Sequence, residues 1–285
     1  MDSTSTIFLI GALFIIMIGM GLSLTFDDFR RILKYPKAVF LGFLNQIILL
    51  PIIGYVLIVV FNLDTTIAMG IMILAACPGG ATSNLVTHIA KGDTALSVTL
   101  TAVNSIITIF TIPLIVNFGL SQFMTGANTI EAPVGKIIGS LFVVIAIPLT
   151  IGMLIKRFSN QFAGRMDKPV RIASAIVLVL VIVGIMIKEK ENLISFFEQA
   201  LLYTFLLNAT TMLIGYVSSR VSNLDFRQSL TISIESGSQN GTLAIHVAVV
   251  SLASSELAIV AAVYSLVMYA TAIVPVWIGN RRGRV

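Results

Sequence analysis

The chain alternates between long apolar stretches and short polar connections. Nine stretches can be read, roughly Thr6–Phe26, Val39–Phe61, Ile67–Ala90, Thr94–Val116, Ile137–Ile155, Ile172–Ile187, Leu193–Val217, Ser229–Val250 and Leu257–Gly279. Most approach the roughly 20 residues that carry a helix across a bilayer. Helical periodicity inside them is weak, as expected of helices that face lipid most of the way round. The pattern predicts an all-α polytopic membrane protein with nine transmembrane helices. The first stretch is too long and too rich in Gly and Met for the apolar part of a signal peptide, so a retained helix is expected there.

Two stretches interrupt themselves. The third carries Cys77-Pro78-Gly79-Gly80-Ala81-Thr82-Ser83-Asn84 in mid-span, and the eighth carries Glu235-Ser236-Gly237-Ser238-Gln239-Asn240-Gly241-Thr242. Pro and paired Gly break the helical ladder, and freed backbone at membrane depth is tolerated only inside protein or along a cavity. Packing kinks lined with small residues are the plainer explanation, but a kink does not account for the amides, hydroxyls and carboxylate crowded at each break. Stretches 2–4 and 7–9 form two triplets with a broken middle member. Their positions predict inverted repeats, the plan of secondary transporters with binding near the midplane.

Composition sharpens the class. Over 285 residues, 57% are apolar, 11% are charged and the mean hydropathy is +1.00, whereas soluble domains carry about a quarter charged residues. The basic residues orient the chain. With the N-terminus outside and the C-terminus inside, fifteen of eighteen Lys and Arg fall in inner connections, leaving Lys136, Lys188 and Lys190 outside. The net charge of +5 therefore says nothing of nucleic acid, and no such partner is expected. A single cysteine, Cys77, excludes an intramolecular disulfide, and two histidines exclude multi-histidine metal chemistry.

Of thirteen acidic residues only Glu235 lies well inside a span. A carboxylate there is costly and needs a partner, and no Lys or Arg is available at that depth. A proton or a metal cation remains. The neighbouring polar residues favour a hard monovalent cation. Ser97 and Thr101 share a helical face that Asn104 and Thr108 continue, while Ser83, Asn84, Gln239, Asn240, Asn45 and Gln46 are neutral oxygen donors. One carboxylate with many neutral oxygens suits Na⁺ better than Mg²⁺ or Ca²⁺. Asn45 and Thr108 could equally be helix-packing residues. For an anionic partner, the half-helices beginning near Thr82–Asn84 and Asn240–Thr242 supply unpaired N–H groups and partial positive charge, with Asn240 and Thr242 side chains beside them.

The motifs resemble those of the bile acid:sodium symporter family, which comprises the apical bile acid transporter of animals and its bacterial relatives. The likeness rests on Cys77-Pro78-Gly79-Gly80 with Ser83-Asn84, and on Ala90-Lys91-Gly92-Asp93-x-Ala95-Leu96-Ser97-Val98. Ile234-Glu235-x-Gly237-x-Gln239-Asn240 and the early Met20-Gly21-x-x-Leu24-x-x-Asp27-Asp28-Phe29 also match. The resemblance implies a single transporter unit in a bacterial plasma membrane, with a core domain (38–118 and 193–281) and a panel domain (5–26 and 134–188). It implies two Na⁺ sites that share Glu235. One would use Ser83, Asn84, Ser97 and Thr101, and the other Gln46 and Gln239 with backbone oxygens at Ser236 and Ser238. Two positions depart from the pattern near the substrate cavity. Ala81 stands where relatives commonly have Thr, and Met268-Tyr269 where bile acid carriers have Trp-His. A small organic acid, pantoate-like or keto-acid-like, is therefore expected ahead of a bile acid.

The alternatives are weaker. Ser238 has no plausible base, because His246 lies two helical turns away on the same span, where it reads as a satisfied helix contact; no His-Glu-x-x-His is present either. An enzyme is not expected. A channel would carry rings of charge around an axis. A proton-coupled organic anion carrier titrating Glu235 is the closest rival.

Overall fold

The computed structural model describes residues 3–124, 134–188 and 193–282. Among them every regular element is helical. In chain order these are α1 (Ser3–Ser23), α2 (Phe26–Lys34), α3 (Pro36–Phe43), α4 (Leu50–Phe61), α5 (Thr65–Ala76), α6 (Ala81–Ile89), α7 (Thr94–Phe123) and α8 (Val134–Leu141). There follow α9 (Ile147–Phe158), α10 (Asn160–Lys188), α11 (Leu193–Val221), α12 (Phe226–Gly237), α13 (Gly241–His246), α14 (Leu257–Thr271) and α15 (Ile273–Arg282).

By length and composition, five described helical segments can cross a membrane: Pro36–Phe61, Thr94–Phe123, Val134–Phe158, Phe197–Val221 and Leu257–Arg282. Two bent pairs, Ile7–Ser23 with Phe26–Lys34 and Thr65–Ala76 with Ala81–Ile89, raise the number to seven. The pair α12–α13 falls outside this count because its apolar run is diluted by Ser, Thr and Glu. The surface fits a multi-pass membrane protein. Ile7, Phe40, Val60, Leu114 and Ile273 are exposed, while Ser83, Ser97, Thr101, Asn104, Asn208 and Glu235 are buried. Large apolar side chains cover much of the outside, and the polar groups of the spans are buried among an apolar core.

Local chemistry sets the element boundaries. Asp64, Asp93 and Asp225 cap α5, α7 and α12 by accepting backbone N–H bonds from Thr66 (2.9 Å), Leu96 (3.0 Å) and Gln228 (2.8 Å). The first apolar stretch was expected to run to Phe26, but α1 stops at Ser23 and the chain bends by 60° into α2. Asp28 causes this by taking both the N–H and the hydroxyl of Thr25 at 2.7 Å, which starts a new helix. The connection expected at 156–171 is mostly helix, since α10 begins at Asn160. The segment 125–133 of the other long connection lies outside the described residues.

Three π-helical turns, Leu44–Leu49, Phe142–Ala146 and Val247–Ser251, join α3 to α4, join α8 to α9 and follow α13. The first two precede Pro51 and Pro148, whose rings clash with the carbonyl four residues back. Those carbonyls belong to Ile47 and Val144, inside the π turns, where the wider coil relieves the clash.

α1 lies chiefly against α9 and α10, and α11 against α12 and α14, with α5 against α7 and α14. Gly21 and Gly152 let α1 and α9 cross closely, because a Cβ on Gly152 would stand 2.8 Å from the Gly21 Cα. α3–α4 and α7 run side by side in the same direction: Gly42 packs on Leu100 at one end, and the Tyr55 ring stands 5.5 Å from that of Phe118 at the other.

Candidate functional site

Both interruptions expected from the sequence are real breaks, and they meet. α5 ends at Ala76 and α6 begins at Ala81 after a 71° bend, while α12 ends at Gly237 and α13 begins at Gly241. The Asn240 N–H donates to the Pro78 carbonyl across 2.8 Å. Gly79 is needed for this approach: a Cβ there would lie 2.8 Å from Glu235 Oε2, closer than such contacts occur.

Glu235 is 1% exposed. Among the described residues the ion pairs are Arg30–Asp27 and Arg31–Asp28, both within α2, and none involves Glu235. Its carboxylate is held by hydroxyls instead. Ser97 donates in a short bond to Oε1, and Thr101 stands 3.2 Å from Oε2. The same two hydroxyls lie 2.8 and 3.3 Å from Asn84 Oδ1, and Ser83 Oγ is 3.4 Å from Thr101 Oγ1. Ser83 gives its proton to the Gly80 carbonyl at 2.8 Å. Two remaining hydroxyl protons thus serve three oxygens of Glu235 and Asn84. The cluster is rich in oxygen and poor in hydrogen, an arrangement a cation would complete. Ser83, Asn84, Ser97, Thr101 and Glu235 are therefore brought together, from α6, α7 and α12.

A second oxygen group adjoins it. The buried Gln46 sits in the first π turn with its amide 2.8 Å from Gln239 Oε1, and Gln239 donates to the Ser236 carbonyl at 3.0 Å. The opposite orientation of the Gln46 amide is better satisfied. Its nitrogen then donates to the Glu235 carbonyl at 3.1 Å, and its oxygen accepts the Gly79 N–H at 2.9 Å. In that orientation the amide oxygens of Gln46 and Gln239 face each other. The Ser236 hydroxyl turns back onto the Ile232 carbonyl, while the Ser236 backbone oxygen faces Gln239.

The residues expected around an anion are less uniform. Ala81 and Thr82 are half-buried at the start of α6, and the Thr82 hydroxyl lies 3.4 Å from that of Tyr269, which is 44% exposed. Asn240 and Thr242 are buried at the start of α13. The Asn240 side-chain oxygen caps α13 by accepting the Leu243 N–H at 3.0 Å, so only its nitrogen is left for a ligand.

Asn45 donates to the Leu41 carbonyl (2.7 Å) and to Ser218 (3.0 Å), tying α3 to α11, and Thr108 bonds back to the Asn104 carbonyl (2.8 Å). Both make structural bonds. His246 reaches Ser140 at 3.2 Å through Nε2, but its Nδ1 has no partner, so the expected satisfied contact is only half made. The sequence reading missed Asn208 and Tyr264, which both donate to the Gly237 carbonyl, at 2.6 and 2.8 Å, and clamp the end of α12. A buried amide on α11 in register with a buried tyrosine on α14 was the available signal.

A profile described as the Sodium Bile acid symporter family matches residues 10–196. The chain is 35% identical over 235 residues to the Arabidopsis thaliana "Probable sodium/metabolite cotransporter BASS1, chloroplastic", covering 81% of this chain and 56% of that protein. It thus spans about half the length of such chloroplast relatives. It is 29% identical over 233 residues to the "Uncharacterized sodium-dependent transporter YocS" of Bacillus subtilis (strain 168), covering 80% of this chain and 70% of that one. To the human "Ileal sodium/bile acid cotransporter" it is 27% identical over 247 residues, covering 86% and 70%. These relatives carry transporter names, not enzyme names.

Proposed function

This chain belongs to the sodium bile acid symporter family, and on that premise we propose that it is a sodium-coupled symporter that imports an organic anion by alternating access. The observation that carries the reading is Glu235: a fully buried carboxylate with no basic partner in reach, enclosed by more oxygens than protons where two broken helices meet. A monovalent cation supplies what that cluster lacks.

Two Na⁺ ions share Glu235. One is held by Ser83, Asn84, Ser97, Thr101 and the carboxylate. The other is held by Gln46, Gln239 and the backbone oxygens of Glu235, Ser236 and Ser238. The buried amides of Gln46 and Gln239, 2.8 Å apart beside the Ser236 backbone oxygen, support the second. The chain crosses the plasma membrane nine times, N-terminus out and C-terminus in, with triplets α3–α7 and α11–α15 as inverted repeats. The separate packing of α1 on α9 and α10 supports a panel beside a core formed by those triplets.

The substrate is a small organic monoanion, such as a hydroxy or keto acid, and monomers suffice to carry it. It sits at the opening turn of α6, with Ala81 leaving space and Thr82, Tyr269 and the Asn240 nitrogen donating. The test is uptake into proteoliposomes of labelled pantoate, pyruvate and taurocholate, with Na⁺ outside replaced by K⁺ or choline at fixed pH. Concentrative uptake of a small acid that needs Na⁺ supports the reading. Uptake indifferent to Na⁺ but driven by a proton gradient would replace it with proton coupling at Glu235, and uptake of taurocholate alone would overturn the substrate.

A further inference from the structure

Asn104 is 0% exposed, and neither atom of its amide has a hydrogen-bond partner. Burying both a donor and an acceptor without partners is costly, and an apolar residue would avoid the cost. Its position gives the reason. Asn104 is three residues beyond Thr101 and seven beyond Ser97, so it continues the face of α7 whose hydroxyls hold Glu235. The neighbouring polar side chains on this helix are spent: Ser105 bonds to the Thr101 carbonyl at 2.7 Å, and Thr108 to that of Asn104 at 2.8 Å. Asn104 alone keeps a free amide there.

The depth of Asn104 follows from helix register. Gly42 packs on Leu100, and Tyr55 stands beside Phe118, so α3–α4 and α7 ascend together. Four residues beyond Gly42 is Gln46, and four beyond Leu100 is Asn104. Asn104 is about 4.5 Å further along α7 than Thr101, at 1.5 Å rise per residue. The oxygen group around Glu235 lies one turn back on its own face.

We propose that Asn104 is a further ligand for the bound monovalent cation, closing the Glu235 carboxylate cluster from the next turn of α7. Its amide oxygen replaces a water of hydration on the ion. The inference rests on the sodium-coupled reading and extends it to a residue named for neither proposed site.

The experiment is a Na⁺ titration of thermal unfolding on the purified full chain in detergent, NaCl replacing choline chloride at constant ionic strength. The parent is expected to gain stability with Na⁺, and if it does not, the sodium-coupled reading itself fails. Asn104→Leu removes the orphaned amide, and its own unfolding without Na⁺ is the baseline from which its gain is read. It should need about tenfold more Na⁺ for half the gain, the loss of one ion-bound amide. Asn104→Ser, which keeps one oxygen, should fall between. Should the Leu variant not fold, Asn104→Ala is read the same way. A variant lacking the amide that titrates at the parent's Na⁺ concentration overturns the assignment and leaves the symporter reading standing.

Discussion

The Asn240 amide hydrogen and the Pro78 carbonyl share a 2.8 Å hydrogen bond between residues 162 positions apart, and it joins the two broken helices at their breaks. Helix ends buried at membrane depth leave donors and acceptors without partners. Here one break satisfies the other, and the oxygens left over surround Glu235.

Glu235→Gln is the sharpest test of that arrangement. It keeps the hydrogen-bonding shape and removes the charge. Losing the only carboxylate from a desolvated cation site costs on the order of 3 kcal/mol, so Na⁺-dependent uptake should fall by about a hundredfold or more. Uptake at the parent's rate, with the parent's Na⁺ dependence, would contradict the mechanism.

Gly79→Ala addresses the same site from the backbone. The added methyl would stand 2.8 Å from Glu235 Oε2 and 3.4 Å from the Ser238 carbonyl, so the carboxylate must move. The Na⁺ concentration for half-maximal uptake is expected to rise at least several-fold. Gly139→Ala, where an added Cβ meets nothing within 4 Å, should leave it unchanged.

Asp225→Ala separates stability from coupling. The cap on α12 is lost, at about 1 kcal/mol, and the unfolding midpoint should drop. The Na⁺ dependence of uptake should hold, because Asp225 bonds to the Gln228 N–H at the other end of the helix from Glu235. A shift in Na⁺ affinity as large as that of Gly79→Ala would show that the site is not local.

Two Na⁺ with one monovalent anion carry a net charge of +1 inward. A potential of 100 mV then contributes about 2.3 kcal/mol per cycle, and each tenfold Na⁺ gradient roughly 1.4 kcal/mol per ion. Substrate added with Na⁺ to protein on a supported membrane should evoke an inward positive current. Electroneutral uptake would reduce the stoichiometry to one Na⁺.

Orientation is testable with cysteines in a Cys77→Ala background. Ser121→Cys, exposed at the end of α7, should react with an impermeant maleimide from outside, and Asn160→Cys, exposed at the start of α10, should not. The reverse pattern would invert the map.

Much of the site was legible because its information is local. Cys77-Pro78-Gly79-Gly80 and the Ser-Gly-Ser-Gln run after Glu235 announce broken helices, and the spacing of Ser97 and Thr101 aligns two hydroxyls on one face. The partners were not legible. That Gln46 meets Gln239, 193 residues away, depends on how the helices dock, and so does the hold of Asn208 and Tyr264 on the Gly237 carbonyl. The π turn that presents Gln46 precedes Pro51, but Pro113 sits inside α7 without such a turn, so a mid-span proline alone did not announce it. The bend after Ser23 followed from Thr25-x-x-Asp28, a start signal hidden in a connection.

The hydroxyls of Ser83, Ser97 and Thr101 and the carboxylate they hold come from opposite halves of the chain. During synthesis the first broken helix emerges more than a hundred residues before Glu235 does. Throughout that interval the Pro78 carbonyl lacks the Asn240 N–H, and the α7 hydroxyls have only Asn84 and Ser83 to bond to, in a solvent that offers no substitute. The early half must therefore wait at the water-filled insertion machinery, or draw water in with it, until the later half arrives. A truncation ending before Glu235 should be recognised by membrane quality control as unfinished, even with every earlier helix already formed.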